Sequence, residues 1–211
     1  MRPEGSAHGI RANLDARDRG AYIGHFLEEI EWIELAEGLV NAARALQPQV
    51  DAYWAKERAR ARDSSLRFPS DSPHRIQLML FSFAIENLMK AFLIREGKAE
   101  YEVRMKTKPN LPRELKTHDL MKLAIAVGEI IPRFKRLFDR DFEELLRRLT
   151  RRAEWSGRYP VPTDYRALPG IAQFLDGSPG LLSHKVSTDP HDALRLVNEL
   201  CRALNLPNVV I

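Results

Sequence analysis

The residues best suited to chemistry are Arg113 and His118, in the run Arg113-Glu-Leu-Lys-Thr-His118. A histidine can take or give a proton near neutral pH, and an arginine close by can hold a phosphate. Together they are the minimum for metal-free cleavage of RNA through its 2′-hydroxyl. The same spacing also fits a histidine that merely caps or packs at a helix start, because such pairs recur by chance in an arginine-rich chain. A second set is Arg147, Arg148, Arg151, Arg152 and Arg158, with Trp155 and Tyr159 interleaved. It suits phosphate contacts combined with base stacking, or a solvated helix face at a favourable dipole end. The third is Ser82, Glu86 and Lys90, spaced i, i+4, i+8 with Asn87 beside them, one polar stripe on an otherwise apolar cylinder. These groups need partners. Either Glu86 and Lys90 pair within their own helix, or the stripe lines a polar cleft or a dimer seam where buried polar groups fix register.

Other chemistry finds little support. The histidines His8, His25, His74, His118, His184 and His191 show no metal-binding spacing, and none is matched to the single cysteine, Cys201. No glycine-rich phosphate loop and no nucleophile elbow occurs. Neither a metal nor a cofactor is expected.

The elements that must position these groups read as helices. The 211 residues, 44% hydrophobic and 29% charged, suffice for one domain, or one domain with an added helical arm. A net charge of +4 allows a polyanion partner without demanding one. One cysteine excludes an internal disulfide framework and fits a reducing cytosol. Residues 1–20 are polar, read as a flexible N-terminus, and carry no signal-peptide pattern, so a cytoplasmic protein is expected. Fourteen of the nineteen residues from Ile76 to Ile94 are apolar. The stretch has transmembrane length, but Glu86 and Lys90 near its centre would be expensive in lipid, so the expectation is a buried helix and no membrane.

Residues 21–62 read as two helical pieces broken at Pro48, with Ile30, Ile33, Leu35, Leu39, Val40 and Ala43 as the apolar face of the first. They form an N-terminal arm, 21–71, that ends in a connector. Ser72 and Pro73 announce the central helix, and Gly97 is expected to stop it. Residues 98–116 read as a polar loop, after which Thr117 can cap a helix from His118 to about Gly128. Another helix spans roughly Asp139 to Trp155, with Phe142, Leu145, Leu146, Leu149 and Ala153 as its core stripe. Residues 156–180 hold many helix breakers, with room for a short turn at Ile171–Leu175. The last helix opens at Asp189-Pro190 and buries Ala193, Leu194, Val197, Leu200, Cys201 and Leu204. No alternating strand pattern competes.

The run Phe83-Ala-Ile-Glu-Asn-Leu-Met-Lys-Ala-Phe-Leu-Ile-Arg-Glu-Gly97, then Lys116-Thr-His-Asp-Leu120 opening a second helix, then Arg158-Tyr-Pro160 after a third, resembles the HEPN superfamily over residues 72–165. The resemblance implies an all-α fold, an antiparallel bundle of four or five helices. The N-terminal arm precedes it, and a loop-rich segment with the C-terminal helix, 166–211, completes the domain. It also implies a homodimer associated with RNA or nucleotides in a toxin–antitoxin or defence system, with a nucleotidyltransferase antitoxin as a protein partner. By the resemblance, Glu86, Asn87 and Lys90 fall in the first signature helix, His118 and Asp119 in the second, and Arg158 and Tyr159 at the third. Active ribonucleases of the family carry, in the last signature segment, an arginine followed after four to six residues by a histidine. Here Thr163 stands there and Pro160 and Pro162 interrupt the helix, so either the nuclease site is lost or changed, which is the favoured expectation, or His118 reaches it from the neighbouring helix. The alternatives are an active metal-independent endoribonuclease and a protein-binding dimeric scaffold.

Overall fold

A computed structural model of the chain describes residues 18, 20–63, 73–108, 110–138, 142–151, 153 and 189–206. Among them no strand occurs, and the protein is all-α. Its helices are α1 (Glu29–Ala45), α2 (Gln47–Arg62), α3 (Pro73–Thr107), α4 (Arg113–Lys116), α5 (Leu120–Ile130), α6 (Pro132–Leu137), α7 (Glu143–Arg151) and α8 (Asp189–Ala203). Residues 20–26 are helical as well. Ser72, Arg152, Trp155, Arg158, Tyr159, Thr163 and the turn expected at Ile171–Leu175 lie outside the described residues.

The organiser is α3, against which α1, α2, α5, α7 and α8 all pack. A helix apolar on nearly every side needs neighbours on every side. Phe81, Leu88 and Phe92 are 2%, 1% and 2% exposed, in keeping with that pattern. By length and composition α3 could cross a membrane, and 78% of its most apolar window is buried inside the protein.

The most extensive contact of α3 is with α1, the helix read from sequence as part of an arm. Its buried stripe is Ile33, Ala36, Val40 and Ala43, and these side chains belong to the same core as those of α3. The expected face was rotated slightly off this one: Ile30 and Leu35 point outward, about half exposed. The break between α1 and α2 falls at Leu46, with Pro48 in the first turn of α2, where its missing N–H costs nothing.

Gly97 does not end α3, and the expected loop at 98–116 is helix as far as Thr107. Tyr101 and Met105, one turn apart, carry the buried face onward, and Glu102–Lys106 at 2.6 Å with Glu100–Arg104 at 3.5 Å supports the exposed side. The glycine serves packing instead. A Cβ there would lie 3.0–3.4 Å from the Tyr101 ring.

The helix after the loop starts later than expected. Asp119, not Thr117, is its N-cap: the Asp119 carboxylate accepts from the Met121 and Lys122 amides at 3.0 and 3.2 Å, while Thr117 Oγ1 accepts from the Asp119 amide at 3.0 Å. A carboxylate in extended backbone just before a helix satisfies two otherwise orphaned donors. His118 is therefore left outside the helix, on the entry strand of chain. Downstream, α6 was not foreseen; Pro132 occupies its first turn. The expected stripe of α7 holds, with Phe142, Leu145, Leu146, Leu149 and Ala153 all buried. In α8 Leu194 is only partly buried, and Leu196 takes a core position beside Val197 and Leu200.

Candidate functional site

Glu86 and Lys90 sit one turn apart on α3, and their spacing dictates the first contact. Lys90 Nζ lies 2.6 Å from Glu86 Oε1, with the two side chains only 4% and 6% exposed. A pair this deep in the protein must satisfy its remaining hydrogen-bonding capacity, since an uncompensated buried charge is costly. Two other elements provide for it. From α1, the Trp32 ring lies under the ammonium, 5.4 Å from Nζ to the ring centroid. Trp32 is itself anchored, its Nε1 donating to the Phe26 carbonyl at 2.9 Å and its ring meeting Phe26 edge-on. From the entry to α5, His118 brings Nδ1 to 3.0 Å from Glu86 Oε1 and 3.1 Å from Oε2.

This contact selects a tautomer. A carboxylate accepts, so Nδ1 is the protonated nitrogen, and in the neutral ring Nε2 is left with the lone pair. The His118 side chain is 49% exposed, whereas Glu86 is buried. The arrangement is an imidazole at the protein's rim, steered from below by a buried carboxylate that a lysine neutralises. Chemically it can accept a proton at Nε2, donate one, or bind an anion in its protonated form.

The other polar residues of the stripe do not join it. Ser82 Oγ donates to the Leu78 carbonyl and Asn87 Nδ2 to the Phe83 carbonyl, each at 2.7 Å, so both are satisfied by the preceding turn of α3. Asp119 caps α5 and pairs with Lys122 at 3.1 Å. No hydrogen bond or ion pair among the described residues links Arg113 to His118.

The arginines of α7 divide. Arg148 reaches α8 and grips Asp189 with two hydrogen bonds, 3.0 and 2.7 Å, although Asp189 is 3% exposed. Burial of this guanidinium works against its charge, but the Asp189 bonds outweigh it and push its pKa above the ordinary value. Arg148 therefore serves the docking of α8. Arg147 pairs with Glu143 along the exposed face at 2.6 Å, and Arg151 is half-buried at the end of α7. Among the described residues no cluster of three or more His, Cys, Asp or Glu could hold a metal ion.

Two contributors carry no signal in the sequence. Trp32 lies far from Lys90 in the chain, and Thr150 of α7 accepts the Leu120 amide at 3.1 Å, tying α7 to the segment that holds His118. Only the packing of distant helices brings either into place.

Comparison of the chain with protein-family models, curated proteins and solved structures finds no match. The fold and the site together define an all-α protein with a buried Glu–Lys pair that presents a histidine at its surface.

Proposed function

We propose that the chain is a HEPN-like helical module, acting as a homodimer, that binds RNA or nucleotide phosphates within a toxin–antitoxin or defence system and lacks the standard HEPN nuclease activity. The supporting observation is the Glu86–His118 contact, which holds an accessible imidazole in one orientation, in a chain that has Thr163 where the family resemblance implies a histidine after Arg158. A protonated imidazole held in this way is a donor for a phosphate oxygen. The test is fluorescence anisotropy of labelled single-stranded RNA at low salt, for the wild type and His118→Ala. The expected result is saturable binding that His118→Ala weakens, with the RNA recovered intact in the presence of a chelator. Failure of the wild type to bind removes the reading.

The same contact favours a second reading, an active metal-independent endoribonuclease. A carboxylate-oriented histidine with Nε2 open has the form of a general base. On this reading cleavage persists with chelator and falls by about a hundredfold or more in His118→Ala, since a positioned acid or base contributes ~10²–10⁴ in rate.

A further inference from the structure

The end of α3 and the segment leading through α4 enclose a groove of about 480 Å³ lined by Val103, Arg104, Lys108, Leu111, Arg113 and Lys116, among others. Its charge is lopsided. Arg104 is bonded to Glu114 through both of its terminal nitrogens, so that pair largely cancels. Lys108, Arg113 and Lys116 are all exposed, and among the described residues none of the three is in an ion pair. Three uncompensated cations along one groove are a large local concentration in a chain whose whole net charge is +4. The same lining carries apolar surface, Val103 at 65% exposure and the partly buried Leu111. Cations and apolar surface in one groove suit a single strand, which offers both phosphates and base faces.

The groove also leads somewhere. Lys116 and His118 are separated by one residue, so their Cα atoms are at most about 7 Å apart whatever the backbone conformation. Lys116, at the groove, and His118, beside Glu86, are thus neighbours along the chain.

We infer that this groove is the track for the phosphodiester backbone of single-stranded RNA, with Lys108, Arg113 and Lys116 as its phosphate contacts and His118 at its end. The inference rests on the RNA-binding reading above and moves the main polyanion surface from α7 to α4.

The experiment measures binding of a labelled single-stranded RNA oligonucleotide across a salt series, using the full chain. The triple variant Lys108→Ala/Arg113→Ala/Lys116→Ala should lower the slope of log affinity against log salt by about 2, because each phosphate contact on a single strand contributes roughly 0.7. Arg147→Ala/Arg151→Ala should leave the slope as in the wild type. The charge-conserving variant Lys108→Arg/Lys116→Arg should bind like the wild type, which separates lost charge from lost folding. If the triple variant keeps the wild-type slope while RNA still binds, the groove is overturned and the RNA-binding reading stands. If polyglutamate displaces the RNA equally well per unit charge, the surface is a protein-docking one and the inference is overturned. If the wild type binds no RNA at low salt, both fall.

Discussion

Both carboxylate oxygens of Glu86 lie within 3.1 Å of His118 Nδ1, although 32 residues separate the two in the chain. Glu86 is at the same time the counter-ion of Lys90. One buried carboxylate therefore joins α3, the start of α5 and, through Lys90 and Trp32, α1.

Removing one member of this set should cost more than removing the pair. Glu86→Leu leaves the Lys90 ammonium buried without a counter-ion, and such a loss typically costs about 3–5 kcal/mol. Glu86→Leu/Lys90→Leu replaces both charges with apolar groups in an apolar surrounding and should recover most of that loss. Urea unfolding of the two variants and the wild type measures the difference. A double variant as unstable as the single one would mean that the pair is not the dominant buried charge interaction here.

Arg148 and Arg147, neighbours in sequence, should respond in opposite ways. Arg148→Ala strands the buried Asp189 carboxylate and should destabilise by about 3 kcal/mol or more. Arg147→Ala breaks an exposed i,i+4 pair with Glu143 and should change stability by less than about 0.5 kcal/mol. Denaturation midpoints at fixed salt decide this. Equal effects would contradict the assignment of Arg148 to the α7–α8 contact.

Glycines within helices divide by what surrounds them. At Gly38 in α1 an added Cβ meets nothing within 4 Å, so Gly38→Ala should stabilise by about 0.5–1 kcal/mol through the lower backbone entropy of the unfolded chain. At Gly128 in α5 a Cβ would meet the Lys135 backbone at 3.2 Å. Main chain gives way poorly, so Gly128→Ala should destabilise although alanine is the better helix former. Thermal melts of the two variants should shift in opposite directions.

Stability should fall at alkaline pH. Burial pushes the Cys201 thiol up from 9.0 to about 11, with Glu37 adding to the effect. Burial, with Glu114 second, pushes the Tyr101 hydroxyl up from 10.0 to about 12. Both folded-state values lie above the unfolded ones, so both contributions are fully present below pH 9 and are lost as pH rises toward 11 and 12. Unfolding free energy measured against pH should be level just below pH 9 as far as these two groups are concerned, and then decline. In Cys201→Ala the decline should begin about one unit later.

Local chemistry made several features legible. Asp189 and Pro190 mark the start of α8, as a residue without an N–H suits a first turn, although the Asp189 carboxylate accepts from Arg148. The apolar run of α3 declares a buried helix through composition alone, and Glu86–Lys90 follows from i,i+4 geometry. Where two local signals competed, sequence misplaced the boundary. Gly97 reads as a stop because glycine commonly ends helices, yet Tyr101 needs that space and the helix continues. Thr117 and Asp119 can both cap, and the carboxylate that reaches two amides prevails.

By itself, then, the sequence determined an all-α protein with a central apolar helix bearing an internal ion pair, because those properties depend on residues within one or two turns of each other. The tertiary structure alone decided that His118 turns to Glu86, that Trp32 lies against Lys90, and that Arg148 faces Asp189 while Arg147 stays with Glu143. A buried charge announces in sequence that it needs a partner. Which partner it finds depends on how distant helices pack, and no spacing along the chain encodes that.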